Sequence, residues 1–347
     1  MMPILSNEEW SSFCAIMNGY IYSQTLATAC DFDLFTYLSR HPGATPDELR
    51  EVLALSSYST RILLLACCAV GLIYRAEENG GYFNSPIAEK VLVSHSPYSM
   101  IPFVHFNNRI QQRCGLHLTR ALRENRNAGL DEFPGDGASL YERLVNYPEL
   151  ESLFQEGMGV FTRLSPKMAD LPEFADVQHL LDVGGGDATN AVRLCQRHPG
   201  LRVTILEMPS VTPIARAAIE RHGLEDRIDY RAGDMFTDRW PSGCDGILLS
   251  HIVEIFTPEK IRFLYRKALE RLVTGGRLFV WTIMANDLET QGLQAAKSST
   301  YFLTTASGEG MAYPAKDHAN WLREVGFRAV KRYDSPEIDH GALVASS

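Results

Sequence analysis

The sequence predicts an α/β protein, a doubly wound, Rossmann-like, mainly parallel seven-stranded sheet preceded by a mostly α-helical, winged-helix-like region. Three observations predict it. From about Val177 apolar strand patterns alternate with amphipathic helix patterns, as a parallel sheet covered on both faces requires. A glycine turn, Asp182-Val183-Gly184-Gly185-Gly186, joins an apolar strand to a helix. Twenty-one residues after Gly186, Glu207 closes a second apolar strand, Arg202-Val203-Thr204-Ile205-Leu206.

The first third reads as helices with one hairpin. Thr45-Pro46-Asp47-Glu48 is a capping box with proline at the first helical position. A second helix follows from about Ser59 to Val70. Then Gly71-Leu72-Ile73-Tyr74-Arg75 and Gly81-Tyr82-Phe83-Asn84 flank Asn79-Gly80, a hairpin signal. Two helices and a two-stranded wing leave DNA binding as a competing reading. Residues 1–110, however, carry ten acidic and six Lys or Arg side chains, and Arg61 is the one base on the exposed positions of the second helix. A groove-reading helix carries several. Upstream, Phe13, Ile16, Met17, Ile21, Leu26, Phe32, Leu34, Phe35 and Leu38 form more apolar surface than so short a segment buries by itself, and a partner subunit is the expected cover.

Residues 100–165 read as further helices, broken by a polar, glycine-rich loop from Asn125 to Gly137. Strands are expected near 179–183, 202–207, 228–231, 244–250 and 277–284, with closing strands at Ala329 to Ser335 and Gly341 to Ser346. Helices are expected near 188–197, 210–222, 258–273 and 314–325. The domain boundaries are 1–100 for the dimerisation region, 101–176 for linking helices and 177–347 for the sheet domain.

The net charge is −9, which disfavours nucleic acid and anionic membrane as partners. The longest apolar runs are too short to span a bilayer. The N-terminus, with Glu8 and Glu9, does not read as a signal peptide. Seven cysteines without metal-like spacing suit reduced thiols in a cytoplasm.

The chemistry lies at the carboxyl ends of the expected strands, where open α/β sheets bind ligands. Gly184, Gly185 and Gly186 let the backbone come close to a ligand. A carboxylate such as Glu207 holds two ribose hydroxyls. Gly233-Asp234-Met235-Phe236 offers an acid for an adenine amino group and two apolar residues for its faces. A dinucleotide site would more typically carry a third glycine at position 189, where this chain has Thr189.

In that order and spacing the three signals resemble the cofactor site of S-adenosyl-L-methionine (SAM) methyltransferases. With Leu206-Glu207-Met208-Pro209 and Gly275-Gly276-Arg277-Leu278, nearly the whole chain resembles the small-molecule O-methyltransferases of secondary metabolism, plant caffeate- and flavonoid-like and bacterial. The resemblance implies a class I SAM methyltransferase fold, a homodimer through the N-terminal region, and a small aromatic substrate. It implies cofactor contacts from Asp182, Gly184, Gly185, Gly186, Glu207, Met208, Gly233, Asp234, Met235, Phe236 and Ser250. It also implies a substrate pocket lined by Phe103, Phe106, Asn107, Arg113, Met158, Phe161 and Thr162, with His105 beside them. Arg109 and Arg113 are candidates for a substrate carboxylate.

One segment departs from the family. Where the family reads Leu-His-Asp-Trp, with histidine as base, this chain has Glu254-Ile255-Phe256 preceded by His251-Ile252-Val253. Trp281 or Thr282 and Ala312 stand where the family tends to carry acids. Glu254 among apolar neighbours suits a general base, and in a helical or turn-like segment His251 is its i,i+3 neighbour. The variant segment resembles C-methyltransferases of antibiotic biosynthesis. C-methylation of a hydroxylated aromatic amino acid or related acid is therefore the leading expectation, followed by phenolic O-methylation. Metal-assisted methylation of a 2-oxo acid is a third, since His-x-x-Glu supplies two ligands and His105, His117 and His318 are candidates for another; no metal site is assigned. A non-methylating member and a SAM-sensing winged-helix regulator complete the alternatives.

Overall fold

A computed structural model describes residues 6–77, 80–163, 166–334 and 340–347, of which Phe161, Pro166 and Asp334 are described by their backbone and not their side chains. The chain divides into two compact units. The first comprises Met1–Gln112 with Glu149–Val160, the second Arg113–Pro148 with Phe161–Ser347. Residues 101–176, set apart in the sequence as linking helices, are thus shared between the two.

The first unit is helical with one small sheet. Ser6, Thr45 and Ser56 each accept from a first-turn N–H, fixing where the helices Asn7–Met17, Pro46–Val52 and Ser57–Ala69 begin. At Thr45 the reciprocal bond from its N–H to Glu48 completes the predicted capping box. Strands β1 (Ile73–Arg75) and β2 (Tyr82–Asn84) pair antiparallel as the expected wing; Asn79 of its turn lies outside the described residues. Leu34, Phe35, Leu38, Leu49, Leu64, Cys67 and Ile73 form the core. The helix Asn7–Met17 buries none of its residues. The stretch 101–112 is helical too, but from Asn107 to Gln112 it winds as a π-helix.

The second unit carries the sheet: β3 (His179–Val183), β4 (Arg202–Glu207), β5 (Ile228–Ala232), β6 (Cys244–Ser250), β7 (Leu272–Ile283), β8 (Ala329–Asp334) and β9 (His340–Ser346). Their order is β5-β4-β3-β6-β7-β9-β8, and β9 alone runs against the direction of the other six. The seven-stranded, doubly wound expectation is met. Successive strand residues point to opposite faces. Leu180, Val203, Ile205, Leu248 and Phe279 pack on the side of helices Thr189–Arg197 and Thr212–Arg221. Leu181, Val183, Leu206, Leu249 and Val280 pack on the side of helices Pro258–Arg271 and Ala315–Val325.

Two features differ from the sequence expectation. β7 begins at Leu272, so the residues expected to end a helix at 273 are strand, paired through Leu272 with Cys244. A helix the sequence pattern did not reveal, Leu293–Tyr301, continues as a π-helix through Ala306. Its Ala, Ser and Thr content gives little hydrophobic period to read.

Candidate active site

Two clusters at the carboxyl ends of β3, β4 and β6 form the candidate site within the second unit. The first is a cradle of glycines and acids. Gly184, at φ +72, has no room for a side chain, because a Cβ there would stand 2.3 Å from Ile252 Cδ1. A Cβ on Gly185 would meet Asp182 Oδ2 at 2.7 Å. Gly186, at φ +55, faces open space. The turn is therefore closed on its inner side and bare on its outer side, as close backbone approach to a ligand requires.

Glu207 ties the cradle together. Its Oε2 accepts from the Gly186 N–H at 3.1 Å and its Oε1 from the Met208 N–H at 2.7 Å. Burial pushes its carboxyl pKa upward, against those two bonds. Asp182 is 1% exposed, and neither carboxylate oxygen has a hydrogen-bond partner among the described residues. Burial first, then the charges of Glu207 and Asp187, raise it to about 7. A buried, unpartnered acid beside two others is suited to a cation. SAM carries two, a sulfonium and an ammonium, so the donor set fits that cofactor.

The remaining cofactor candidates lie around this cradle. Gly233 N–H donates to the Glu207 carbonyl at 2.9 Å. Asp234 Oδ1 accepts from the N–H groups of Phe236 and Thr237, at 2.6 and 3.1 Å, so one of its oxygens shapes its own turn. Met235 Cε lies 3.7 Å from the Cβ position of Gly184, and the Phe236 ring meets Phe256 edge-on at 4.9 Å. Met208 is half exposed. Ser250 Oγ accepts from Asn190 Nδ2 at 3.2 Å.

The second cluster holds the proton-transfer candidates. β6 ends at Ser250, and His251 follows at φ +55, a left-handed conformation strained for a residue with a Cβ. Its N–H donates to the Trp281 carbonyl at 2.8 Å. The chain then turns through a 3₁₀ segment, Val253–Ile255, which brings His251 Nδ1 to 3.0 Å from Glu254 Oε1. Glu254 is 2% exposed, and its Oε2 has no partner among the described residues. Its charge acts on the phenols of Tyr141 and Tyr265, both pushed up by burial, and on the His318 imidazole. His318 Nδ1 lies 2.7 Å from Tyr265 Oη, and burial lowers its pKa to about 4.

Sequence reading missed His340. It opens β9, opposite Ile283 of β7, and its Nε2 lies 3.3 Å from His251 Nε2. No local pattern marks it, since 89 residues separate it from His251. Gly310 and Ser307 were missed as well. Ser307 Oγ donates to the Ile255 carbonyl at 2.8 Å, and a Cβ on Gly310 would overlap the backbone of Glu254, Ile255 and Phe256. Trp281 and Thr282, aligned by the resemblance with acids of the family, are buried, with no partner for Trp281 Nε1 or Thr282 Oγ1 among the described residues. Ala312 is buried too.

The substrate candidates fall in both units. Phe106 is fully buried against Phe103 and Phe154 in the first, a core placement and not a wall. Asn107 bonds to Gln111 and Gln112 on its own helix. Met158 and Phe103 are half-buried in that unit. In the second, Arg113 pairs with Glu132 at 3.2 Å and Thr162 gives its carbonyl to Arg193. The Phe161 side chain lies outside the described residues. Arg109 pairs with Asp31 at 3.5 Å. The metal-ligand candidates have other neighbours: His105 lies by Asp31, His117 by Glu132, and His318 by Tyr265. Among the described residues no three His, Cys, Asp or Glu side chains gather as a metal site, and no single helix is long and apolar enough to cross a membrane.

Comparison with known proteins agrees with this architecture. A family model for the O-methyltransferase domain matches residues 116–328, and one for the O-methyltransferase dimerisation domain matches residues 14–94. The L-tyrosine C(3)-methyltransferase of Streptomyces lavendulae is 32% identical over 335 residues, spanning 95% of this chain and 91% of that protein. The 3-hydroxy-5-methyl-1-naphthoate 3-O-methyltransferase of Streptomyces sahachiroi is 30% identical over 324 residues, spanning 92% and 91%. The solved structure of the SAM-dependent methyltransferase SibL in its apo form superposes with TM-score 0.83 at 36% identity, over 97% of this chain and 99% of that one. Human N-acetylserotonin methyltransferase in complex with SAM shares the fold, with TM-score 0.88 at 22% identity over 100% and 99%.

Proposed function

The chain belongs to the SAM-dependent O-methyltransferase family, with that family's dimerisation domain at its N-terminus, and from this premise we propose that it methylates a ring carbon of a small phenolic amino acid or related acid. Methyl transfer is the common ground of its relatives, and those from Streptomyces include a tetracenomycin polyketide methyltransferase. The carbon acceptor is our reading. It rests on the similarity to an L-tyrosine C(3)-methyltransferase together with one observation: Glu254, which the resemblance aligns with the family's histidine base, is buried and bonded through Oε1 to His251, with Oε2 lacking a partner among the described residues.

When bound, SAM supplies an electrophilic methyl on a positive sulfur. We assign its ribose to Glu207, its cationic end to Asp182 and the turn Gly184–Gly186, and its adenine to the region of Asp234, Met235 and Phe236. Glu254 Oε2 accepts the proton of the substrate hydroxyl, and the phenolate so formed is nucleophilic at oxygen and at its ortho carbon; after transfer to carbon the ring C–H proton is lost to solvent and Glu254 returns its proton to the oxygen, which restores the phenol. Which atom reacts depends on which one the pocket aligns with the methyl, because alignment dominates such displacements. His251 holds the Glu254 carboxylate in place. The similarity to an L-tyrosine C(3)-methyltransferase supports the carbon. The similarity to a naphthoate 3-O-methyltransferase makes phenolic oxygen the second reading.

The test incubates the protein with SAM and L-tyrosine or hydroxylated benzoic and naphthoic acids, with product analysis by mass spectrometry and NMR. A new aryl methyl carbon supports C-transfer, and a methoxy signal in every product overturns it. With the accepted substrate, Glu254→Gln should lower kcat about 10²–10⁴-fold, the usual share of general acid–base catalysis, and leave SAM affinity intact.

A further inference from the structure

His251 stands between two groups. Its Nδ1 is 3.0 Å from Glu254 Oε1 and its Nε2 is 3.3 Å from His340 Nε2. Two imidazole nitrogens at that separation bond only if one carries a proton and the other a lone pair. The carboxylate decides which. Ionised Glu254 is acceptor-only, so His251 presents Nδ1–H to it. A neutral His251 then has its lone pair at Nε2, and His340 must be the donor.

We propose that His340 is a positioning residue for proton transfer: its Nε2–H donates to His251 Nε2, anchors the ring in the tautomer that the Glu254 carboxylate selects, and so holds Glu254 Oε1 in place and leaves Oε2 as the acceptor that meets the substrate hydroxyl. This inference rests on the reading of Glu254 as the base. It assigns the order of the chain, His340 to His251 to Glu254, in which neither histidine takes the substrate proton.

Three further observations support that order. His340 is nearly fully buried, and its ring stacks on Trp281, 5.6 Å between centroids and 28° between planes, so its nitrogens are held in direction. Trp281 is also the residue whose carbonyl anchors the His251 N–H. The strained backbone at His251 is thus held from β7 and the side chain from β9, two adjacent strands paired through Ile283 and His340. Strain of this kind persists where the surroundings over-determine it. Among the described residues, Tyr141, Tyr265 and His318 are titratable groups on which the Glu254 charge acts.

The experiment compares His340→Gln and His340→Leu. A glutamine amide N–H can replace the imidazole donor, and leucine cannot. With L-tyrosine and SAM as probes, His340→Leu should lose kcat on the order of tenfold or more, while KM for both stays within about twofold and His340→Gln recovers most of the loss. Nitrogen-15 NMR of histidine-labelled full-length protein with S-adenosylhomocysteine reads the tautomer directly and needs no substrate. His251 should be Nδ1-protonated throughout, with its Nε2 resonance shifted by an accepted hydrogen bond in wild type and in His340→Gln and without that shift in His340→Leu. An Nε2-protonated His251 in wild type overturns the proposal, as does His340→Leu with wild-type kcat and an unchanged Nε2 shift. If L-tyrosine is not methylated, the proposed substrate class fails while the NMR result still decides the order of the chain.

Discussion

A Cβ at Gly310 would stand 2.4 Å from the carbonyl oxygen of Glu254. The loop after the π-helix therefore presses directly on the segment that carries Glu254, helped by the Ser307 bond to Ile255 and the ion pair of Lys260 with Glu309. Gly310 also has φ +82, which disfavours any side chain. Gly310→Ala should cost about 2 kcal/mol or more of stability, from strain and overlap together. It should also lower kcat through displacement of Glu254, with SAM affinity kept. Thermal unfolding and titration calorimetry on the same preparation read both, and unchanged kcat would mean that the brace does not position the base.

Glu207 spans the two halves of the cofactor cradle through its bonds to Gly186 and Met208. Glu207→Ala should weaken SAM binding by roughly tenfold or more, the scale of a lost charged hydrogen bond. Calorimetry with unchanged affinity would move the ribose elsewhere.

Asp182 gives a pH-dependent outcome. Its carboxyl titrates near 7 in the folded chain, against about 3.9 in an unfolded one. The unfolded state therefore releases this proton first. Asp182 costs no stability below about pH 4, costs progressively more as the pH rises toward 7, and costs a constant amount above. Asp182→Asn should flatten stability in that window, measured by denaturant melts from pH 4 to 8. A cationic cofactor beside it favours the ionised acid, so SAM binding near pH 6 should release up to about one proton. Calorimetry in buffers of different ionisation enthalpy measures the release, and equal values for wild type and Asp182→Asn would separate Asp182 from the cation.

The N-terminal helices predict the assembly. Ile16 is 82% exposed on a helix that buries nothing, alongside Trp10, Phe13 and Met17. On Ser57–Ala69, Tyr58, Ile62 and Leu65 are also exposed, at i, i+4 and i+7. Faces of this kind are covered by a partner. Light scattering should give twice the 38.8 kDa chain mass. Ile16→Asp together with Leu65→Asp should give monomer, and a wild-type monomer at micromolar concentration would exclude the interface.

Much of the fold and part of the site were legible in the sequence because their signals are local. Strand and helix periods, the Thr45 cap and the glycine turn at Gly184–Gly186 each act within a few residues, so their order in the chain is enough to read them. The His251–Glu254 pair was legible for the same reason, as three residues in a tight turn bring two side chains together. The helix Leu293–Tyr301 was not, because small and hydroxylated residues carry no clear period.

Tertiary structure alone decided the rest. His340 reaches His251 because β9 inserts antiparallel between β7 and β8, a pairing of distant segments that leaves no mark in either one. Phe106, an aromatic that could equally line a pocket or fill a core, fills the core because Phe103 and Phe154 close around it. Asp182 is charged in any sequence reading. Only burial without a partner, next to Glu207, raises it to about 7. The sequence by itself determined which elements form and which residues stand at their ends. Folding decided which of those residues meet and how much water they keep, because contact and desolvation depend on segments far apart along the chain.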